Sequence, residues 1–238
     1  MMQIEGSVAF VTGANRGLGR AFVQALQSRG ATKVYAGVRN PDRLTLSGVV
    51  PMRFDLTEPA SIAAAAQHCR DVTLLINNAA LGKVNVGALD TAFIDLSREM
   101  FETNFYGTVR SCQAFAPAIV GNRPSAIMNV LSDATWFARP MVSAYSATKS
   151  AAWSYTNALR VELRETDTQV VGLHVGFIDT DMARDIDAVK SSPDFVAHVA
   201  LDGLARGDEE VLADEQSRLV KRTLSTEDGY YLDPPPLV

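Results

Sequence analysis

The sequence is poor in residues that cross-link a chain or anchor it to a membrane. It contains only two cysteines, Cys69 and Cys112, among 238 residues, which is too few for a framework of disulfides. No apolar run reaches about eighteen residues, so the sequence predicts no membrane-spanning helix. The first basic residue is Arg16, so the N-terminus lacks the charged start of a secretory signal. These absences predict a cytoplasmic protein whose cysteines stay reduced.

Charge of one sign is not in excess either. The chain carries 22 basic and 27 acidic residues, a net charge of −5, with the signs interspersed. We therefore expect neither a nucleic-acid partner nor a polybasic membrane anchor. The three histidines, His68, His174 and His198, lie at no metal-ligand spacing from one another or from a cysteine, so no metal site is predicted.

The composition and the order of apolar segments are those of a globular α/β protein. Hydrophobic residues make up 47% and charged residues 21%, which excludes a disordered, collagen-like or coiled-coil chain. Strands are predicted at 8–12, 33–38, 49–54, 72–77, 125–131, 169–175 and 210–213, and helices at about 17–29, 58–69, 90–120, 144–165 and 193–206. Apolar strands separated by helices are typical of a parallel sheet covered on both faces. The prediction is a single domain, 1–238, with a doubly wound parallel sheet of about seven strands.

Two stretches depart from this regular alternation. Only about ten residues, 39–48, connect the second and third predicted strands, so any helix there is expected to be stubby. The tail contains Pro234, Pro235 and Pro236, which neither continue a helix nor pair inside a sheet. We expect this tail to be an extended strap on the surface.

A glycine-rich turn, residues 12–19, follows the first predicted strand and opens the first predicted helix. Gly13 permits a sharp turn, Gly17 lets a pyrophosphate approach the backbone, and Gly19 lets the helix pack closely on the sheet. The helix N-terminus then offers free N–H groups and a positive dipole end to an anion. An ordinary strand-to-helix turn is the alternative, but three glycines within eight residues favour a dinucleotide-binding turn.

The end of the second predicted strand favours NADP(H) over NAD. Enzymes that use the unphosphorylated dinucleotide place a carboxylate there for the ribose hydroxyls, but this strand ends at Val38 without one. Arg39 follows, and its planar guanidinium suits a 2′-phosphate that Arg16 would meet from the other side. The alternative is that Arg39 is a solvated loop residue. Asp55 either accepts from the adenine amino group or caps the next helix, for which Thr57 is the preferred cap.

Three polar side chains follow the pattern of a proton-transfer site. Tyr145 and Lys149 lie one helical turn apart on one face. The tyrosine pKa is ordinarily about 10, and a nearby ammonium favours the phenolate. Ser132 stands just after the fifth predicted strand, at the sheet edge where ligands bind. A proton donor poised there is what the reduction of a carbonyl needs.

The complete set of motifs resembles the short-chain dehydrogenase/reductases, in their compact single-domain branch. The resemblance covers residues 5–213 and is carried by the glycine turn, Asp55, Asn77-Asn78-Ala79, Asn104-x2-Gly107 with Pro117, Ser132 and Tyr145-x3-Lys149. It implies a Rossmann-type fold. It also implies that Tyr145 is the general acid or base and that Ser132 holds the substrate carbonyl. Lys149 would lower the tyrosine pKa and bind the nicotinamide ribose, and Asn104 would break its helix and anchor a relay water.

The resemblance also implies which residues bind the cofactor. They are Gly13, Asn15, Arg16, Gly17, Leu18, Gly19, Arg39, Asp55, Leu56, Asn78, Ala79, Ala80, Tyr145, Lys149, Gly176, Ile178 and Thr180. In the family, the position of Gly176 faces the nicotinamide and that of Thr180 bonds its carboxamide. Two residues depart from the family pattern, since Ala80 replaces a glycine and Val175 replaces a proline. Neither departure removes a reacting group.

The predicted substrate pocket lies between the serine and the tyrosine. Its residues are Ser132, Ala134, Trp136, Phe137, Met141 and Met182, with Leu81 and Val84 as further candidates. The alternative for Trp136 and Phe137 is that they pack on the protein itself. Asp133 either faces solvent or tunes selectivity, and the sequence does not distinguish the two.

The resulting functional prediction is an NADPH-dependent carbonyl reductase that acts on a small-molecule ketone, aldehyde or secondary alcohol. An NAD-linked alcohol dehydrogenase of the same family and a non-catalytic NADP-sensing protein are the alternatives. A sugar-nucleotide epimerase would need a further substrate domain. Small residues at Ala144, Ala147, Ala151 and Ala152 predict a homodimer or homotetramer, unless this stripe packs on the sheet.

Overall fold

Seven parallel strands form one sheet in the computed structural model, which describes residues 2–83 and 87–236; Val84 lies outside this range. The strands are β1 Val8–Thr12, β2 Lys33–Val38, β3 Val50–Arg53, β4 Leu74–Asn77, β5 Ser125–Val130, β6 Thr168–His174 and β7 Glu210–Leu212. The helices are α1 Gly17–Ser28, α2 Pro59–His68, α3 Phe93–Phe101, α4 Gly107–Gly121, α5 Ser143–Glu162, α6 Pro193–Arg206 and α7 Glu215–Arg222. The predicted doubly wound, Rossmann-type fold is confirmed.

The strand order is β3-β2-β1-β4-β5-β6-β7, and every neighbouring pair is parallel. The order in which strands are added to the sheet reverses at β1: β2 lies on one side of it and β4 on the other. Ligands of open α/β sheets bind in the crevice at the carboxyl ends of the strands beside such a reversal. The fold therefore places its binding crevice after β1 and β4.

Helices cover the sheet on both faces because successive side chains of a strand point in opposite directions. Val11 joins a buried cluster with Phe22 and Leu26 of α1 and with residues of α6. Its neighbour Phe10 enters the opposite cluster, where its ring lies 4.6 Å from that of Phe115 in α4. Burying one such side chain stabilises the fold by roughly 1.5–3 kcal/mol.

The connections show where the sequence-based assignments hold and where they fail. A single short 3-10 turn, Pro41–Arg43, lies in the β2–β3 connection, as the stubby crossover predicted. The predicted helix at 90–120 is divided into α3, a π-helical segment Glu102–Tyr106, and α4. Helix α7 was missed, because six of its eight residues are polar and only Ser217 and Val220 are buried.

The assignment of Thr57 as a helix cap is wrong. Helix α2 begins at Pro59 with Glu58 in the cap position, and no side chain caps it. The Asp55 carboxylate instead accepts from the backbone N–H and hydroxyl of Thr57, at 2.9 and 2.8 Å. The Thr57 side chain is thus used in this local turn and does not cap the helix. Pro59 begins the helix, because the backbone N–H that proline lacks is not needed at the first helical position. Within the described residues, no helix is long and apolar enough to cross a bilayer.

Candidate functional site

The glycine turn is built from left-handed backbone and close packing. Gly13 and Gly17 have φ of +68° and +52°, a region that glycine enters without steric cost. A Cβ on Gly19 would overlap the Gly13 carbonyl oxygen and lie 2.7 Å from Nδ2 of Asn78. The backbone of this turn therefore approaches its neighbours as closely as the sequence predicted.

Hydrogen bonds tie the glycine turn to the segment that follows β4. The hydroxyl of Thr12 accepts from the backbone N–H groups of Asn78 and Ala79, each at 2.9 Å. The Asn78 side-chain amide donates to the Thr12 carbonyl, also at 2.9 Å. The ends of β1 and β4 thus form one rigid edge of the crevice.

A buried polar network beneath the site was not foreseen from the sequence. Asn77 accepts from the Ser111 hydroxyl at 2.7 Å and donates to Asn129 at 2.9 Å. Asn129 in turn donates to Thr156 of α5 at 2.9 Å. Satisfied buried networks of this kind rigidify a core, and this one links β4 and β5 to α4 and α5. No sequence pattern pairs these residues, since they lie up to 52 positions apart.

Asn104 lies in the π-helical segment, where the sequence predicted that a polar amide interrupts the helix. Its side chain accepts from the N–H of Leu81 at 2.7 Å and donates to the Leu81 carbonyl at 2.9 Å. It also donates to Thr148, whose hydroxyl donates to the backbone carbonyl of Tyr145 at 2.7 Å. π-Helical turns are frequent at functional sites. Here the turn connects the β4 edge to the start of α5.

Ser132, Tyr145 and Lys149 meet at the carboxyl end of β5. Ser132 begins the connection between β5 and α5, residues 132–142, which we name the serine loop. Tyr145 lies in the first turn of α5, and its hydroxyl is close enough to Ser132 to be influenced by it. Lys149 is buried, donates to the Val130 carbonyl at 2.8 Å, and places its ammonium 5.5 Å from the centre of the Tyr145 ring. The structure thus brings together the three side chains that the sequence singled out.

The electrostatics of this group differ from the expectation. Burial and the nearby Asp133 carboxylate raise the pKa of Tyr145 above its usual value, and the contact with Ser132 only partly opposes them. Burial also lowers the pKa of Lys149 to about 8. This structure therefore does not support the predicted lowering of the tyrosine pKa, because burial, which disfavours the phenolate, is the largest influence on it.

Asp133 is buried at 8% exposure, so the alternative that it faces solvent is wrong. Its Oδ1 accepts from the Ser132 hydroxyl at 3.0 Å and from the Ala134 N–H at 2.7 Å. Burial, aided by the charge of Asp214, raises its pKa to about 6. Asp214 accepts from the N–H of Gly176 at 2.7 Å and caps α7. Two carboxylates therefore flank Gly176 at the end of β6.

His174 is a site residue that sequence analysis missed. Its ring is fully buried, and Nδ1 lies 3.0 Å from the carbonyl oxygen of Ser132. Burial lowers its pKa to about 3, so the ring is neutral and Nδ1 is the donor to that carbonyl. The pairing of β5 with β6 brings this histidine next to the Ser132 carbonyl. Its position inside a strand of the sequence therefore gave no indication that it contacts the serine.

The aromatic residues of the serine loop pack largely on the protein. The Trp136 ring stacks on His174 with centroids 4.0 Å apart, and Phe137 packs against Tyr230 of the C-terminal segment at 5.0 Å. These contacts match the alternative of internal packing. Met141 and Met182 are exposed. The assignment of all four to a substrate pocket stays a prediction.

The remaining predicted cofactor residues differ in exposure and in contacts. Arg39 is exposed at the end of β2, whereas Arg16 pairs with Asp181 at 2.8 Å. Thr180 lies against the glycine turn, since a Cβ on Gly17 would come within 2.9 Å of its methyl group. Asn15 is exposed, Leu18 and Leu56 are buried, and Asn78, Ala79, Ala80 and Ile178 are half-buried. The described residues hold no cluster of three or more metal-ligating side chains.

With this geometry established, comparison with known proteins identifies the family. The family model for short chain dehydrogenases matches residues 7–191. The chain belongs to the short-chain dehydrogenase family. The match begins just before the glycine turn and includes Ser132, Tyr145 and Lys149. It agrees with the resemblance seen in the sequence.

Similar proteins extend over most of the chain. Carbonyl reductase (NADPH) 2 of Sus scrofa is 32% identical over 194 residues, which are 78% of this chain and 77% of that protein. A crystal structure of a short chain dehydrogenase from Burkholderia cenocepacia in complex with NADP is 38% identical, with a TM-score of 0.88 over 94% of this chain and 95% of that one. A Burkholderia phymatum short chain dehydrogenase/reductase in complex with NAD is 25% identical, with a TM-score of 0.82 over the whole of both chains. The chain spans 60% of the length of three other mammalian relatives.

Proposed function

We propose that this chain is an NADP(H)-dependent carbonyl reductase, which transfers a hydride between the nicotinamide and a ketone, aldehyde or secondary alcohol. The observation that carries this proposal is the convergence of Ser132, Tyr145 and Lys149 at the carboxyl end of β5, in the sheet whose first strand leads into the glycine turn. Membership of the family and the name of the porcine relative support the same reaction class.

Tyr145 is the group that donates a proton to the substrate oxygen during reduction and accepts it during oxidation. Its raised pKa keeps the hydroxyl protonated at neutral pH, which is the state that reduction requires. Ser132 holds the carbonyl oxygen within reach of this proton. Lys149 would contact the nicotinamide ribose, and Asn104 would anchor a water through which the proton of Tyr145 is replaced.

The glycine turn fits a dinucleotide because it leads into the N-terminus of α1, whose N–H groups are capped by no side chain and would donate to a pyrophosphate. At Gly13 and Gly17 a Cβ would occupy space within 3.1 Å and 2.9 Å of neighbouring atoms, and both positions have positive φ. When bound, the nicotinamide cofactor supplies or accepts the hydride. Thr180 lies against the glycine turn and Gly176 lies beside Asp133 and Asp214. From these positions Gly176 would contact the nicotinamide ring and Thr180 its carboxamide.

The preference for NADP(H) rests on the absence of a carboxylate at the end of β2 and on the exposed Arg39 that follows it. The Burkholderia cenocepacia neighbour is in complex with NADP, which supports this preference. An NAD-linked dehydrogenase is the second candidate, since the Burkholderia phymatum neighbour is in complex with NAD.

The test is oxidation of NADPH and of NADH, measured in parallel against aryl, aliphatic and cyclic ketones. Turnover with NADPH well above NADH is expected. Equal or faster turnover with NADH would contradict the proposed role of Arg39 and favour the second candidate.

Tyr145→Phe separates an enzyme from a non-catalytic sensor. We expect turnover to fall by about 10²–10⁴-fold, the usual contribution of general acid–base catalysis, while NADPH binding persists. Tyr231→Phe is the matched control, because Tyr231 is 42% exposed and outside the group around Ser132. Unchanged turnover in Tyr145→Phe would sink the proposed mechanism.

We also propose that the protein assembles as a homodimer or homotetramer. Ala144 and Ala152 of the predicted stripe are buried within the chain, whereas Ala147 is exposed. Three large apolar side chains, Ile94, Tyr106 and Val161, are exposed on α3, the π-helical segment and α5. Packing of these surfaces against a second copy would remove them from water.

A further inference from the structure

The number of protons at Ser132 limits what its hydroxyl does. A serine hydroxyl has one proton to donate and two lone pairs to accept with. In the structure, Ser132 accepts from the Ala134 N–H at 3.1 Å and donates its one proton to Oδ1 of Asp133 at 3.0 Å. A ketone oxygen is only an acceptor. While Asp133 is ionised, the serine proton is therefore engaged by the carboxylate and not by the substrate.

The surroundings of Asp133 favour its neutral form. A second carboxylate, Asp214, lies across Gly176, and Oδ2 of each aspartate is within 3.3 Å of the place that a Cβ on Gly176 would occupy. Arg139 is the nearby cation, but its guanidinium is held by the hydroxyl of Tyr230 and the carbonyl of Pro235. The Tyr145 hydroxyl is within electrostatic reach, and His174, on the far side of Ser132, is neutral.

We propose that Asp133 is a positioning residue whose neutral form donates a hydrogen bond to Ser132 and so frees the serine proton for the substrate carbonyl. This inference rests on the proposed carbonyl reductase function. The only chemical change is the uptake of one proton by the Asp133 carboxylate. The Ser132 oxygen then accepts from Asp133 and Ala134 and donates to the ketone, which uses all of its hydrogen-bonding capacity. Ionisation of Asp133 reverses the arrangement.

The charge of Asp133 also acts on Tyr145. The ionised carboxylate raises the pKa of Tyr145, so removing that charge lowers it. The raised pKa of Asp133, about 6, places the change of state within the pH range of an ordinary assay. Asp133 thus affects both side chains that would hold the substrate oxygen.

The experiment is the pH profile of kcat/KM for reduction of a ketone by NADPH, in wild type and Asp133→Asn. In wild type we expect kcat/KM to fall by about tenfold or more as pH rises from about 5 to about 8, since one donor to the reacting oxygen is lost. In Asp133→Asn the side-chain amide donates to Ser132 at every pH, so this fall disappears. The alkaline limb that reports Tyr145 should also move to lower pH. Asp185→Asn, an exposed aspartate, is the matched control and should keep the wild-type profile.

A fall near pH 6 that persists in Asp133→Asn would overturn the inference, as would its absence in wild type. A second readout does not depend on turnover. The neutral form of Asp133 stabilises the folded state, and this contribution is lost as pH rises from about 4, the usual value, through the folded pKa of about 6. The Tm of Asp133→Asn minus that of wild type should therefore grow from about pH 4 to about pH 8. A Tm difference that stays constant with pH would also overturn the inference. If the Tm difference grows with pH but the wild type shows no NADPH turnover, only the proposed function is rejected.

Discussion

The two sides of the crevice are built by opposite means. The glycine turn is shaped mainly by backbone: positive φ at two glycines, a missing Cβ at Gly19, and hydrogen bonds that Thr12 accepts from backbone N–H groups after β4. The serine loop is shaped by buried polar and ionisable side chains, chiefly Ser132, Asp133 and the neighbouring His174. The glycine turn should therefore be sensitive to volume, and the serine loop to charge, donor chemistry and pH.

The largest effect is expected on the side that depends on volume. Gly19→Ala places a methyl group against the Gly13 carbonyl and 2.7 Å from Nδ2 of Asn78. Neither neighbour can move easily, because the first is backbone and the second is held by a hydrogen bond to Thr12. We expect a loss of about 3 kcal/mol in the free energy of unfolding and no measurable NADPH binding. Thermal or urea unfolding and a fluorescence titration with NADPH measure the two.

Gly121→Ala is the matched control, because an added Cβ at that helical position meets nothing within 4 Å. It should match or slightly exceed the wild-type stability, since alanine is the better helix former. Equal behaviour of the two variants would contradict the view that the glycine turn is limited by volume.

An intermediate effect is expected beneath the serine loop. His174→Leu removes the shorter of the two hydrogen bonds to the buried Ser132 carbonyl and leaves only the 3.3 Å bond from the Thr135 N–H. We expect this loss to cost about 1–3 kcal/mol of stability and to displace the serine. We expect kcat to fall by about tenfold with KM less affected. His174→Asn retains a donor near the position of Nδ1 and should recover part of kcat, which volume loss alone would not explain.

His198→Leu serves as the control, since this exposed histidine on α6 lies far from Ser132. Steady-state kinetics from about pH 5 to about pH 8 give the comparison. The pKa of His174 is about 3, so the ratio of wild type to His174→Leu should be constant over that range. A ratio that varies through pH 6.5, the usual histidine value, would show that the ring is charged.

The smallest effect is expected at an exposed ion pair beside the glycine turn. Asp181, after Thr180, pairs with Arg16 of the glycine turn, and both side chains are about half exposed or more. Exposed ion pairs contribute little, so Asp181→Asn should change the Kd for NADPH by less than about threefold. The direction should be toward tighter binding, because Arg16 is freed for the 2′-phosphate while NADH binding stays the same. Weaker binding of NADPH would contradict the assignment of Arg16 to that phosphate.

Much of the fold was readable from the sequence because it depends on local patterns. Apolar runs located all seven strands, and the residues of the β2–β3 connection were too few for a full helix. Helix α7 was missed because its stability comes from the Asp214 cap and two buried residues rather than from a continuous apolar face. The sequence offered two roles for Asp55, adenine binding or helix capping, and predicted Thr57 as the cap of α2. In the structure, the Thr57 side chain instead donates to the Asp55 carboxylate in a short local turn.

The sequence by itself determined the parallel sheet, the glycine turn and the group of Ser132, Tyr145 and Lys149. These depend on apolar periodicity, on backbone freedom at particular glycines, and on spacing along one helix, all of which are properties of neighbours in the chain. Only the tertiary structure decided the burial of Asp133, its proximity to the Asp214 carboxylate and the contact of His174 with the Ser132 carbonyl. Desolvation and charge interactions depend on which strands lie side by side, so the electrostatics of the site follow from the packing of β5 against β6.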